Sequence, residues 1–133
     1  MAFVCDNSVV VAWFIASQAS AYTEKLLDRA IVEDVHVPLI WRAEFAAMLL
    51  AFSHNRRLLP ARVPVILNEL EQLELINDLS PPSLKTLVDI GRRYALSAYD
   101  ATYLELAMRL RLPLACRDGP LKAALRKAGV ALA

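Results

Sequence analysis

The chain opens with Ala2-Phe3-Val4-Cys5-Asp6, a short apolar run that ends at an acidic residue. A run of this length is typical of a buried strand, whereas the following residues 8–17 have the longer apolar spacing of a helix. The same alternation recurs along the sequence. Strands separated by helices predict an α/β domain with a parallel sheet flanked by helices.

Five strands and seven helices are predicted. The strands are 2–6, 35–38, 75–79 as a short edge strand, 113–116 and 130–132. The helices are 8–17, 20–33, 41–55, 60–74, 83–95, 98–111 and 120–128, with Gly129 as the stop signal of the last. With three glycines and no linker or repeat, residues 1–133 are expected to form one domain with a sheet of four to five strands.

The composition is apolar, since 57% of the residues are hydrophobic. The longest apolar run, 9–16, is well short of the roughly 20 residues that span a bilayer. No basic residue precedes it, so it does not resemble a signal peptide. We therefore expect a cytoplasmic protein whose apolar surface favours a homo-oligomer or a tightly held partner. Two cysteines, Cys5 and Cys116, suffice for neither a disulfide framework nor a four-cysteine zinc site.

The charge balance of +1 hides an excess of arginine. Without four acidic residues that are singled out below, fifteen basic residues face ten acidic ones, a balance of +5. Eleven of the basic residues are arginines, including Arg56-Arg57 and Arg117. Arginine is the better bidentate ligand for phosphate, although such clusters also occur on ordinary solvated surfaces.

Two acidic residues follow predicted strands. Asp6 comes directly after the first strand, and Asp118 follows the fourth by one residue. The carboxyl ends of parallel strands meet at one rim of a sheet, where ligands bind. Each residue also has a simpler interpretation: Asp6 as a helix cap, and Asp118 as part of a turn with Gly119.

Two more acidic residues lie within predicted helices. Glu44 falls at the edge of the apolar stripe of its helix, and Asp100 shares a face with apolar neighbours. Glu105 and Arg109 are expected to point the other way, towards water. A carboxylate on a core-facing stripe is costly unless it is paired or binds a cation. Asp100 could instead complete a capping box with Ser97. Glu44, near the start of its helix, could be stabilised by the helix dipole.

Four carboxylates at one rim would raise one another's pKa values unless a cation neutralised them. Oxygen ligands without Cys or His select Mg²⁺ or Mn²⁺ rather than zinc. Such a metal site suits phosphodiester cleavage.

Four segments together resemble a PIN domain of the VapC toxin type. The opening 3–10, followed by Trp13-Phe14, is similar to the start of that family. Residues 39–46 resemble its second segment, which carries a glutamate on the helix after strand two. Residues 94–101 are similar to its most distinctive stretch, and 114–118 match its last acidic segment. The resemblance covers essentially the whole chain, in order and spacing.

This resemblance implies a Mg²⁺- or Mn²⁺-dependent endoribonuclease that hydrolyses RNA phosphodiester bonds with metal-activated water. It assigns the metal and catalytic roles to Asp6, Glu44, Asp100 and Asp118, with Ser8 near the first acidic residue. It also implies a VapB-like antitoxin as partner and a homodimer. Cys116 stands where the family often has Thr or Ser, which suggests a weaker supporting hydrogen bond to the site.

No histidine is placed to act as a general base, because His36 lies in a strand and His54 at a helix end. Arg56, Arg57 and Arg117 are candidate contacts for RNA phosphates.

Three alternatives remain at this point. The chain could be an RNA-processing PIN nuclease without an antitoxin, or a catalytically inert PIN-like module that binds a metal or a protein. A phospho-acceptor receiver domain is disfavoured, because it needs paired acidic residues near the start and a lysine on a late loop.

Overall fold

The sheet has four parallel strands in the order β3-β2-β1-β4, in a computed structural model that describes residues 1–133. The strands are β1 (Ala2–Cys5), β2 (Asp34–Val37), β3 (Ile76–Asn77) and β4 (Leu114–Ala115). Val4 of the central strand β1 pairs with His36 on one side and with Leu114 on the other. The predicted α/β class, the parallel pairing and the edge position of the third strand are confirmed.

Seven α-helices surround this sheet. They are α1 (Asn7–Phe14), α2 (Ala21–Ala30), α3 (Trp41–His54), α4 (Arg62–Gln72), α5 (Leu84–Tyr94), α6 (Ala98–Leu110) and α7 (Pro120–Ala128). A short 3-10 helix, Ala16–Gln18, follows α1. None of these helices has the length and apolarity needed to cross a bilayer.

The local signals in the sequence explain most element ends. Ser20 and Thr23 form a capping box at the start of α2, and Gly129 ends α7 with a φ of 71°. The predicted last strand is shorter than expected, because its only ladder contact is a bridge between Leu114 and Leu132. The helix predicted from residue 60 begins at Arg62, after a turn that Pro60 opens.

The core lies between the sheet and the helices packed on it. Phe3, Val4 and Cys5 are completely buried in β1, as are Val9 and Val10 on α1. The buried cluster that they join contains 26 residues, contributed by strands and helices from both ends of the chain. The buried run 3–5 therefore explains why β1 occupies the centre of the sheet.

The expectation that Glu105 points towards water was wrong, whereas Arg109 is exposed as expected. Glu105 is 7% exposed, and the guanidinium of Arg109 donates to it at 2.6 Å. Arg109 also forms a bidentate pair with Asp78, at 3.1 and 2.7 Å. Glu105, Arg109 and Asp78 therefore form an ion-pair network that ties α6 to the end of β3.

The strand order places a switch point at the carboxyl ends of β1 and β4. From β1 the sheet extends in one direction to β2 and β3, and in the other to β4. Connections that leave in opposite directions open a crevice between two strand ends, where ligands of α/β proteins bind. Asp6 and Cys116, which directly follow these two strands, flank this crevice.

Candidate active site

Asp6 connects β1 to α1 and caps that helix. Its carboxylate accepts hydrogen bonds from the backbone N–H of Ser8 and from the Ser8 hydroxyl. Burial raises the pKa of Asp6, and the charge of Asp100 adds to this rise, while the bonds from Ser8 oppose it. The predicted capping role of Asp6 is therefore confirmed, and the capping carboxylate lies at the switch point.

Glu44 lies on the first turn of α3 and is half-buried. Its Oε1 accepts a hydrogen bond of 2.7 Å from the hydroxyl of Tyr103 on α6. Burial raises the pKa of Glu44, the bond from Tyr103 lowers it, and the charges of Asp6 and Asp100 raise it further. Tyr103 thus positions Glu44 from α6, the helix that also carries Asp100.

Asp100 begins α6, where its backbone N–H donates to the hydroxyl of Ser97 at 3.1 Å. The expected capping box is only half formed, because the Asp100 carboxylate makes no return bond. That carboxylate has no hydrogen-bond partner in the protein, and burial raises its pKa. It is thus free to face a ligand.

Asp118 differs from the other three. Its side chain is 94% exposed and forms an ion pair of 2.8 Å with Lys122, one turn further along α7. This pair lowers the pKa of Asp118. Asp118 nevertheless lines the same cavity as Asp6 and Asp100, a crevice of about 430 Å³ at the switch point. Glu44 does not line this cavity, but the charges of Asp6 and Asp100 raise its pKa.

Two neighbours of the acidic residues, Cys116 and Asn7, have buried polar atoms that form no hydrogen bond with those residues. Cys116 lines the cavity and is 2% exposed, and burial together with the charge of Asp6 raises its pKa to about 12. Its thiol donates no hydrogen bond to the acidic residues, as expected for a weak donor in this position. The side-chain oxygen of Asn7 is buried without a partner, a costly arrangement directly after Asp6.

The donor set suits a hard divalent cation in its chemistry. Asp6, Glu44 and Asp100 offer only oxygen atoms, and no cationic side chain forms an ion pair with any of them. Burial raises the pKa values of all three, and neighbouring carboxylate charges raise those of Asp6 and Glu44 further, an effect that a bound cation would offset. No three acidic, His or Cys side chains converge closely enough to hold a metal in this arrangement. To hold a metal these carboxylates would have to come closer together, and Asp118 would have to leave Lys122.

The three candidate arginines have different positions. Arg117 is half-buried and lines the cavity. Arg57 does not line it, but its guanidinium lies 5.7 Å from the ring centroid of Phe52, which does. Arg56 is exposed, with a left-handed φ of 63°.

The sequence did not indicate that three further residues belong to this region. Tyr103 looked like an ordinary apolar-face residue, Phe52 like a core aromatic, and Gln18 carried no signal. Phe52 and Gln18 both line the cavity. For Tyr103, the only signal in the sequence was its hydroxyl group, on a residue three positions after Asp100.

Comparison with known proteins identifies the fold. A model of the PIN domain family matches residues 3–124. The crystal structure of PAE2754 from Pyrobaculum aerophilum matches with a TM-score of 0.71 at 19% sequence identity, over 93% of this chain and 84% of that one. No curated protein matches the sequence.

Proposed function

Because the chain belongs to the PIN domain family, we propose that it is a Mg²⁺- or Mn²⁺-dependent endoribonuclease of the VapC type, the toxin of a toxin–antitoxin pair. PIN domains in general are nucleases that use divalent metal ions. The observation that carries the proposal is the group formed by Asp6, Glu44 and Asp100. Asp6 and Asp100 line the same cavity at the switch point, their charges raise the pKa of Glu44, and no cationic side chain pairs with any of the three.

In this proposal each acidic residue has a defined task. Asp6, Glu44 and Asp100 hold the cation, and Asp118 joins them when it leaves Lys122. Ser8 orients Asp6, and Tyr103 orients Glu44. A divalent cation bound here would lower the pKa of a water molecule and neutralise charge on the phosphate.

Substrate binding and proton transfer are assigned to other groups that line the cavity. Arg117 neutralises a phosphate of the substrate and helps to align the scissile bond. Hydrolysis joins the water oxygen to phosphorus and breaks the bond from phosphorus to the leaving oxygen, which takes up a proton. No histidine lines the cavity, so proton transfer relies on carboxylates and solvent.

The partners in this proposal are RNA, a VapB-like antitoxin and a second copy of the chain, in the cytoplasm. An apolar groove of about 380 Å³ supports the homodimer. Its walls include Leu39, Leu87 and Tyr99, of which Leu39 is 42% and Tyr99 59% exposed. Exposed apolar side chains gathered in one groove are typical of protein interfaces.

The decisive experiment is cleavage of total RNA by the purified protein with Mg²⁺ or Mn²⁺, against EDTA. The matched variant is Asp6→Asn, which keeps the helix cap and removes the charge. Cleavage that requires the metal and vanishes in the variant supports the nuclease. Cleavage that persists in EDTA or in Asp6→Asn contradicts it.

The toxin role needs a separate test. The protein is expressed together with any short gene directly upstream, and the complex is assayed on the same RNA. A small DNA-binding protein that copurifies and blocks cleavage supports the toxin assignment. An active nuclease without such an inhibitor points instead to an RNA-processing enzyme.

A further inference from the structure

One wall of the acidic cavity is aromatic. Phe52, near the end of α3, lines the cavity together with Asp6 and Asp100 and is half-buried. The guanidinium of Arg57 lies 5.7 Å from the centroid of its ring. An aromatic ring with an arginine packed on it is a common platform for an unpaired nucleic-acid base.

The turn after α3 holds this pair together. The backbone N–H groups of Arg57 and Leu58 both donate to the carbonyl of Phe52, at 2.9 and 3.1 Å. The side-chain oxygen of Asn55 accepts from the N–H of Arg57 at 3.2 Å. Arg56 takes a left-handed φ of 63°, a conformation that a side chain with a β-carbon disfavours. These contacts reverse the chain and return Arg57 over the ring.

A free amide lies in the same cavity. Gln18, in the short 3-10 helix after α1, lines the cavity and is half-buried. Its amide makes no hydrogen bond with the rest of the protein, unlike the amide of Asn77 in β3, which donates to the carbonyl of Leu75. A glutamine amide offers both a donor and an acceptor, which is what the edge of a base requires.

We infer that this cavity holds one unpaired nucleotide of the RNA substrate, with its base stacked on Phe52 and its edge bonded to Gln18. The inference rests on the proposed ribonuclease function. An adjacent phosphate then lies between Arg57 and Arg117 and brings the scissile bond to the carboxylates. The subsite demands a base that can leave its stack, so the substrate is a single strand or a loop rather than a continuous duplex.

A protein partner is the rival occupant, and the chemistry favours RNA. The aromatic ring matches the face of a base, the free amide its edge, and the two arginines a phosphate. The apolar groove at Leu39 and Tyr99 lacks this combination. We therefore assign Phe52 and Gln18 as positioning and specificity residues of the nuclease.

The first test is binding of RNA without catalysis. Fluorescein-labelled 12-mers of A, U and C are titrated with metal-free protein in EDTA, and anisotropy gives the Kd. We expect Phe52→Leu to weaken binding about 10-fold, within the range of one lost base stack, and Phe52→Tyr to retain it. Tyr94→Leu is the matched control, because Arg93 lies 5.5 Å from the Tyr94 ring but neither residue lines the cavity.

The second test is the cleavage reaction of the same variants. Phe52→Leu should lower kcat/KM mainly through a higher KM, because it removes base binding without touching the carboxylates. Gln18→Ala should alter the base preference next to the cut, read by mapping cleavage ends. If wild-type protein cleaves RNA and both variants match it in Kd, KM and cut position, the subsite is wrong but the nuclease stands. If Phe52→Leu loses only a copurifying protein, the wall serves a protein partner and the inference is overturned. If wild-type protein neither binds nor cleaves RNA, the proposed function fails with it.

Discussion

Tyr103 on α6 donates a hydrogen bond of 2.7 Å to Oε1 of Glu44 on α3, although 59 residues separate them in the chain. Tyr103 is 1% exposed, so the bond lies in a region of low dielectric. It lowers the pKa of Glu44 against the larger effect of burial. The contact thus fixes the position of one proposed metal ligand relative to another, Asp100, which lies on the same helix as Tyr103.

Tyr103→Phe tests this support. The ring keeps its volume, so the fold should persist, and the lost bond should cost about 1–3 kcal/mol of unfolding free energy. The affinity for Mn²⁺ should fall about 10- to 100-fold, as for other residues that orient metal ligands. Isothermal titration with Mn²⁺ measures this, with Tyr94→Phe as the control. Unchanged affinity in Tyr103→Phe would remove Tyr103 from the site.

Asp100→Asn should abolish RNA cleavage, by more than about 100-fold, because even residues that only support a ligand change activity by 10- to 100-fold. The helix start should survive, since Ser97 caps it through the backbone N–H of residue 100. Mn²⁺ should raise the melting temperature of wild-type protein and not of the variant. A variant that still cleaves RNA at the wild-type rate would contradict the site.

The same variant has an expected pH dependence. The pKa of Asp100 is higher in the folded chain than in the unfolded one, so the folded state holds this proton more tightly. Its contribution to stability is present below the unfolded pKa and is lost as the pH rises through the folded pKa. In EDTA, Asp100→Asn should therefore melt above wild type at neutral pH, and the difference should shrink in acid. Thermal melts at pH 4 and pH 7.5 measure this, and Asp89→Asn, on an exposed ion pair, serves as the control.

Lys122→Gln should release Asp118 without altering the fold. The ion pair is exposed and joins Lys122 on α7 to Asp118, which precedes that helix, so the melting temperature should not change measurably. If Asp118 is a metal ligand, the variant should bind Mn²⁺ more tightly than wild type, because the cation no longer competes with Lys122. Asp118→Asn should have the opposite effect. Equal affinities in all three proteins would place Asp118 outside the site.

Leu39→Glu should dissociate the proposed homodimer, because it places a charge in the apolar groove. Leu39 is 42% exposed, so the substitution should leave the monomer folded. Light scattering after size-exclusion chromatography gives the mass, with Leu59→Glu, an exposed position off the groove, as the control. A dimer that persists in Leu39→Glu would locate the interface elsewhere.

The sequence by itself determined the secondary-structure elements and the edge of the sheet at which the acidic residues lie. The apolar run 3–5 and the helix Pro120–Ala128 follow from periodicity, proline and glycine, which act within a few residues. The positions of Asp6 and Asp100, one after a strand and one in a first helical turn, were likewise visible from local pattern. The half-formed capping box at Ser97 shows the limit of such patterns. The motif predicts the bond from the backbone N–H of Asp100, but not the orientation of the Asp100 carboxylate.

Only the tertiary structure decided which distant groups meet. The packing of the helices on the sheet determines three such features. They are the hydrogen bond from Tyr103 to Glu44, the contact between Arg57 and the Phe52 ring, and the burial of Glu105. Arg109 appeared solvent-facing on its own helix, yet its partner Asp78 is 31 residues away. Periodicity records which side of an element is apolar. It cannot record which charged or aromatic group another element brings to that side, because those contacts form only when the chain closes on itself.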